Sequence, residues 1–375
     1  MNKETVLIYR DNLLPPSETF IKAQAENLSV FQTYYVGAKR FGTNSILDNN
    51  KTMVINNGSR VGRIREILYK LSGLSLGMKN QLLKLDPKLI HAHFGPDGIM
   101  ASKFAKKLGI PLIVTFHGYD ATIKDDQARG YFHKNYVKRR DELVNDANVL
   151  IAVSNFIKKK MIEQGFPEHK IVQHYIGIDT EFFTHDPIVK REKIVLFVGR
   201  LVEKKGVEYL IKALSKIQKW DKEIKLIIIG EGPLRRELEK TAQELLLNYK
   251  FLGAQNPLTI KNWLNKSKVF CVPSVTAENG DAEGFGMVFA EANSMGVPVV
   301  SFDSGGISEA VSHGETGFLA PEKDIDILAS YIKTLFKDEE LWSEFSKNGI
   351  ERVRSLYNLK ENTKGLEEIY KKTLR

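Results

Sequence analysis

Residues 193–211 read KIVLFVGRLVEKKGVEYLI. The opening run is apolar and β-branched, as suits a strand covered on both faces. Gly199 closes it, a short basic turn follows, and an apolar pattern at helical spacing then begins. Strand, turn and helix in that order build doubly wound parallel sheets. The rhythm continues with strands expected at 225–230, 249–253, 269–274, 298–302 and 317–320. The first half carries it too, with strands expected at 5–9, 32–36, 88–93, 111–116 and 149–154. The polar stretch 182–193, FFTHDPIVKREK, breaks the pattern with a proline and no helical period, as a linker does. The expectation is an α/β chain of two Rossmann-like doubly wound domains, 1–185 and 193–358, facing across a cleft.

Length alone suits more than one domain in 375 residues. The apolar fraction, 42%, is enough for a sizeable core and argues against disorder. Cys271, in the apolar run VFCVPS, reads as a reduced and packed thiol. One cysteine makes no intrachain disulfide, so a reducing compartment is expected. MNKETVLIYR at the start reads as a strand, not a signal peptide. No stretch approaches the ~18 apolar residues of a spanning helix. A cytoplasmic protein, soluble or peripheral at the membrane, is therefore expected.

The formal net charge is +9. Residues 1–185 hold 26 Lys and Arg against 18 Asp and Glu, a net of +8; the rest hold 29 against 28, a net of +1. An excess confined to one half points to an anionic partner there: nucleic acid, or an anionic membrane and acceptor. No RNP, helix-turn-helix or zinc-finger spacing is present, so nucleic acid is set aside. Within the basic half, SRVGRIREILYKLSGLSLGMKNQLLK spans residues 59–84. Its Ile64, Ile67, Leu68 and Leu71 recur at helical spacing with basic residues between them. That is the composition of an interfacial amphipathic helix, or of a core helix with a solvated basic face.

The chemistry gathers after strand ends, where open α/β sheets bind ligands. Residues 281–291 read DAEGFGMVFAE. Glu283 and Glu291 flank a glycine turn and the start of a helix. Amides of Phe285, Gly286, Met287 and Val288 at such a helix mouth suit a phosphate. Glu291, about one turn in, suits a sugar hydroxyl of the same ligand; otherwise Glu283 caps the helix and Glu291 is a surface residue. Arg200 and Lys205 follow the 193–199 strand and could clamp a diphosphate, or form a solvated basic turn. Lys204 adjoins Lys205, and spacing does not choose between them. Gly199, Gly230 and Gly232 sit beyond strand ends and are assigned to the same ligand. Asp281 and Asn279 either bind its hydroxyls or shape an Asn-Gly turn. His117, in TFHGYD, ends the 111–116 strand. His93, in HAHFG, is a second candidate. His91 is expected on the opposite strand face from His93, which weighs against a metal held by both. Ser17, in LPPSETFI, reads as a helix N-cap.

These motifs together resemble the retaining glycosyltransferases of family 4. The resemblance runs nearly end to end, through HAHFGPDG (91–98), TFHGYD (115–120), VGRLVEKKGVEYLI (198–211), IIIGEGPLRREL (228–238), the E-x7-E run 283–291, GVPVVSFDSGG (296–306) and ETGFL (315–319). SETFI and the expanded TAENGDAEGFG segment are similar to the subgroup that builds bacterial exopolysaccharide. The resemblance implies the GT-B fold, with a last helix, 359–375, crossing back to the first domain. It implies transfer of a hexose from a UDP- or GDP-sugar to a glycan acceptor, with retention and with no obligatory metal. Lys205 rather than Lys204 is the implied clamp. Glu291 is implied at the donor ribose, Glu283 at the transferred sugar and His117 against that sugar. Ser17 to Thr19 stand where relatives carry a Gly-Gly turn, so their contact with acceptor or diphosphate is left open. A lipid-linked acceptor and an anionic membrane surface follow from the basic first half. An epimerase acting on a nucleotide sugar, or a basic glycan- or nucleic-acid-binding module without activity, are the alternatives.

Overall fold

The computed structural model describes residues 3–15, 18–42, 47–72 and 76–375. The chain forms two compact units, Met1–Gly177 with Leu359–Arg375, and Ile178–Asn358. The division falls ahead of the polar 182–193 stretch because that stretch belongs to the second unit. Arg191 donates to the carbonyls of Ser267 at 3.1 Å and Met295 at 2.6 Å, and the Ser294 hydroxyl donates to the Phe183 carbonyl at 2.7 Å.

In the first unit the strands are β1 (Glu4–Tyr9), β2 (Asn12–Leu13), β3 (Phe31–Arg40), β4 (Thr52–Asn56), β5 (Pro87–His93), β6 (Leu112–Phe116), β7 (Val149–Ala152) and β8 (Ile171–Gln173). They form one sheet in the order β2-β3-β1-β5-β6-β7-β8, with β4 also on β3. All pairings are parallel. The short strands β2 and β8, and the half-buried β4, have no clear period and escape a sequence reading. The helix Leu359–Leu374 packs into this unit's core, where Leu366 and Tyr370 join Val6, Ile8, Phe31 and Leu89. Glu367 fastens it further by accepting from Val30 N at 2.8 Å and the Ser29 hydroxyl at 2.8 Å.

The second unit holds β9 (Glu192–Val198), β10 (Lys225–Ile229), β11 (Tyr249–Phe251), β12 (Ser267–Cys271), β13 (Val299–Phe302) and β14 (Gly317–Ala320). The order is β11-β10-β9-β12-β13-β14, again parallel throughout. Strand order reverses between β9 and β12, so loops leaving those two strands diverge and open a crevice at their carboxyl ends. Cys271 lies buried in β12 as a small apolar side chain.

The basic amphipathic stretch forms two helices, Arg60–Ser72 and Leu76–Leu83. The first inverts the usual arrangement. It is anchored by Tyr69, fully buried with its hydroxyl 2.6 Å from that of Tyr9, and by Lys70, which contacts Glu66 and Asp11. Val61, Ile64, Ile67 and Leu68 are instead 57–58% exposed, beside exposed Arg60, Arg63 and Arg65. An ordinary core helix buries that apolar stripe. Among the described residues, no helix is long and apolar enough to cross a membrane.

Candidate functional site

In the second unit, the residues singled out in sequence converge on the β9–β12 switch point. β9 ends at Val198, and Gly199 N donates to Ile229 O at 3.0 Å. A Cβ on Gly230 would stand 1.8 Å from Gly199 O, and one on Gly232 would stand 2.3 Å from Leu201 O. Those two glycines let the loops after β9 and β10 pass backbone to backbone. Gly199 meets only ordinary contacts at 3.4 Å or more. Beyond it, Glu203–Lys205 makes one tight turn, closed by Gly206 in the left-handed region at φ 62°, and the helix Val207–Trp220 begins. The Lys204 carbonyl accepts from Val275 N at 2.8 Å, which ties this turn to the loop leaving β12.

That tie delivers both lysines to the acidic loop. Lys204 pairs with Asp281 at 2.8 Å and Lys205 with Glu283 at 2.5 Å. The lysines are therefore not a solvated turn, and Glu283 does not cap the helix. Burial raises the Glu283 carboxyl, but the charges of Lys205, Lys204 and Arg200 outweigh it and hold the group down to about 2. Of the two roles weighed for Asn279 and Asp281, the turn is the one seen, the Asp281 N–H donating to the Asn279 side chain at 2.9 Å, while the Asp281 carboxylate takes a third role as partner of Lys204. Arg200 stays exposed, and among the described residues its side chain makes no ion pair.

The following helix, Met287–Ser294, starts at Gly286, φ 82°, with no side-chain cap and no acidic residue in its first turn. An uncapped N-terminus beside Arg200 and Lys205 is an anion site in its electrostatics. Phe285 is buried against the edge of Tyr357 at 5.0 Å and orients the turn. Glu291 is half-buried rather than a solvated surface group, and burial pushes its carboxyl up to about 7. Sequence reasoning quoted SFDSGG without giving it a role. Gly306 N donates to the Glu283 carbonyl at 2.8 Å, and a Cβ on Gly305 would lie 2.4 Å from that oxygen. The pair holds Glu283 from behind.

In the first unit, His93 and His117 end neighbouring strands β5 and β6, with His93 Nδ1 3.0 Å from His117 Nε2. His91 does not face away. Its ring lies 4.4 Å from that of His93, because residues two apart share one face of a strand. His91 is held at both nitrogens, by the Tyr370 hydroxyl and the Thr115 hydroxyl, each at 2.6 Å. Burial pushes its pKa down to about 3. Among the described residues, no cluster of three His, Cys, Asp or Glu is placed to hold a metal ion.

Asp120, in the TFHGYD motif, was missed as a site residue. Its buried carboxylate accepts from the backbone N–H of His117 at 3.1 Å, Gly118 at 2.9 Å and Gly95 at 3.0 Å, fixing the loop that carries His117. Burial raises it to about 6 against those bonds. Arg10, also missed, binds Glu18 with two donors at 2.8 Å and Asp97 at 2.6 Å, and lies 4.4 Å over the Phe94 ring. The signal was present in part, since Glu18 and Asp97 stand inside the quoted SETFI and HAHFGPDG. Ser17 lies outside the described residues; the helix there is Thr19–Glu26.

A parallel sheet ordered 3-2-1-4-5-6, with cations and a helix without a side-chain cap at its switch point, is a doubly wound Rossmann-like unit whose switch point has the electrostatics of an anion site. Comparison with known proteins gives the class its name. Residues 41–182 match the model for Glycosyltransferase Family 4, and residues 179–352 match Glycosyl transferases group 1. The chain belongs to the glycosyltransferases of the family 4 type and has their GT-B fold. It is 29% identical to an uncharacterised glycosyltransferase of Methanocaldococcus jannaschii, over 85% of each chain. It is 31% identical to the amylovoran biosynthesis glycosyltransferase AmsK of Erwinia amylovora, over 66% of this chain and 61% of that one. The chain thus spans about three fifths of that relative. The crystal structure of HepE from Anabaena in complex with UDP and glucose superposes with a TM-score of 0.79, at 20% identity, over 98% of this chain and 99% of that one.

Proposed function

We propose that this chain transfers a hexose from a UDP- or GDP-sugar to a glycan hydroxyl in the synthesis of a bacterial surface polysaccharide, with retention of anomeric configuration. The carrying observation is the meeting of Lys205, Glu283, Arg200 and the uncapped Met287–Ser294 helix at one switch point. AmsK is named for amylovoran biosynthesis, and HepE binds UDP and glucose. Both agree with this reading. As the sugar leaves, charge grows on the departing phosphate. In this reading Arg200, Lys205 and the amides at 285–288 neutralise that charge. Glu283 is assigned to the transferred sugar and Glu291 to the ribose. The departing phosphate itself serves the incoming hydroxyl on the same face. His117 is assigned a polar role in the transfer.

A thermal-shift screen against UDP- and GDP-hexoses tests the donor. A ligand at a hundredfold excess over its Kd stabilises the protein by about 2.7 kcal/mol. Transfer of the selected sugar to a glycan acceptor is expected to persist in excess EDTA, since the neutralising charge is protein-borne. Loss in EDTA with recovery in Mg²⁺ or Mn²⁺ removes that part of the reading. A donor sugar isomerised without acceptor identifies an epimerase instead.

Glu291 gives the donor site a pH dependence. Its acid form is favoured in the folded apo protein, so its contribution to stability is full below the unfolded value and is lost as pH rises through about 7. A ribose diol is accepted by the carboxylate, so nucleotide binding strengthens over the same interval. Between pH 6 and pH 8 the affinity for the selected nucleoside diphosphate is expected to rise roughly tenfold, as the ionised fraction does. Glu291→Gln flattens the calorimetric profile. A wild-type profile as flat as the variant's excludes Glu291 from the ribose.

We assign the protein to the cytoplasmic face of the membrane, with a lipid-linked acceptor. The exposed apolar stripe Val61, Ile64, Ile67 and Leu68, beside three arginines, supports that placement. Each basic residue near an anionic surface contributes about 1 kcal/mol, screened by salt. The protein is expected to sediment with phosphatidylglycerol vesicles at low salt and to ignore neutral ones. Replacing Arg60, Arg63 and Arg65 by Gln weakens the association. A protein left in the supernatant at low salt returns the acceptor to a soluble glycan.

A further inference from the structure

The first unit contains a row of imidazoles that the proposed chemistry uses only at its end. Tyr370, on the helix Leu359–Leu374, and Thr115, on β6, clamp His91 at both nitrogens. The His91 ring lies against that of His93, and the His93 and His117 rings meet edge to edge, nitrogen to nitrogen, with centroids 5.2 Å apart and 27° between planes. Phe94 at 4.5 Å and Phe20 at 5.1 Å flank the His117 ring. Phe94 takes a positive φ of 72°, which a bulky side chain adopts only when its surroundings impose it. Its N–H donates to the Thr115 carbonyl at 2.7 Å, which holds that turn in place.

His93 is 1% exposed, and burial with its His91, His117 and Arg10 neighbours pushes its pKa well down. Burial, His91 and Arg10 do the same to His117. Both rings are thus neutral. Two neutral imidazoles 3.0 Å apart hold one proton between the facing nitrogens: one donates and the other accepts.

We propose that His93 is a positioning residue for His117, sharing one proton between His93 Nδ1 and His117 Nε2 and so presenting His117 Nδ1 as the nitrogen open to a ligand. The tautomer of each ring then dictates that of the other. Whether His117 Nδ1 meets a sugar hydroxyl as donor or as acceptor is decided jointly with His93, and the ring does not turn to expose Nε2. The same logic orients metal-bound and catalytic histidines through the partner of their second nitrogen. The proposal rests on the assignment of His117 to the transfer.

Histidine labelled with ¹⁵N in the full chain tests the shared proton without any ligand. A trans-hydrogen-bond ¹⁵N–¹⁵N coupling between His93 Nδ1 and His117 Nε2 is expected in wild type and absent in His93→Phe. In the transfer assay, His93→Phe lowers kcat by about tenfold or more and leaves the donor KM within about threefold. His93→Asn places an amide where Nδ1 stood and restores at least about a third of kcat, while His93→Gln, with its amide one bond further out, does not. If His93→Phe fails to fold, the Asn and Gln pair carries the same comparison. No coupling in wild type, a His93→Phe kcat within twofold of wild type, or equal kcat in the Asn and Gln variants overturns the proposal. Full activity in His117→Ala overturns the functional assignment instead, leaving the coupling result standing.

Discussion

Arg200→Ala and Lys205→Ala each lower kcat/KM by on the order of 10²-fold or more, the scale of removing one fixed donor from a developing negative charge. The two variants differ in what else they disturb. Lys205 is bound to Glu283, whose carboxylate is buried and stabilised by that ammonium. Lys205→Ala leaves the carboxylate without its nearest countercharge, so some loss of stability accompanies the loss of rate. Arg200 is exposed and makes no ion pair among the described residues, so Arg200→Ala preserves the melting temperature and isolates the chemical effect. Lys204→Ala is the informative control. Lys204 holds Asp281, one step from the proposed diphosphate site, and its removal costs less than that of Lys205. Steady-state kinetics with the donor chosen by thermal shift measure all three. Full activity in both Arg200→Ala and Lys205→Ala removes the clamp from the mechanism.

Gly230→Ala is expected to destabilise the second unit by about 3 kcal/mol or more, from backbone overlap and a strained conformation together. Gly230 sits at φ 146°, and its added Cβ would stand 1.8 Å from the Gly199 carbonyl oxygen. Neither side of that contact is a flexible side chain that swings aside. Relief requires the β9 and β10 loops to part, and that movement displaces Arg200 as well. For a unit of this size the melting temperature falls by roughly 6–12 °C. Gly199→Ala is the comparison, since its Cβ meets side-chain carbons at 3.4 Å and beyond. Melting curves of the two variants decide the point. Equal stability would show that the loops separate at little cost, and would make Gly230 a residue selected for something other than their close passage.

The central strands were legible because their information is local. KIVLFVG, KLIIIG and PLIVTF are continuous apolar runs between turn residues, and sheets covered on both faces require such runs. The edge strands β2 and β8 were not, being too short to show a period, and neither was β4, TMVIN, which is only half-buried and carries no continuous apolar run. The helix mouth at Gly286 was legible for a related reason: a glycine turn opening a helix is written in consecutive residues. His91 shares a strand face with His93, as residues two apart must, and the two rings lie 4.4 Å apart where opposite faces were expected.

Sequence by itself determined the two parallel α/β halves, the motif-bearing strand ends and the family resemblance. Tertiary structure alone decided the partners: Lys204 with Asp281, Lys205 with Glu283, His93 with His117, and Tyr370 with His91. It also decided that Ile64, Ile67 and Leu68 face outward, a choice that helical spacing leaves open in sign. Periodicity reports which residues share a face, through backbone geometry that acts over a few residues. Which face is covered, and which charge meets which, depends on distant segments brought together by the sheet. Those contacts join residues such as 205 and 283, or 91 and 370, whose separation along the chain carries no local signal.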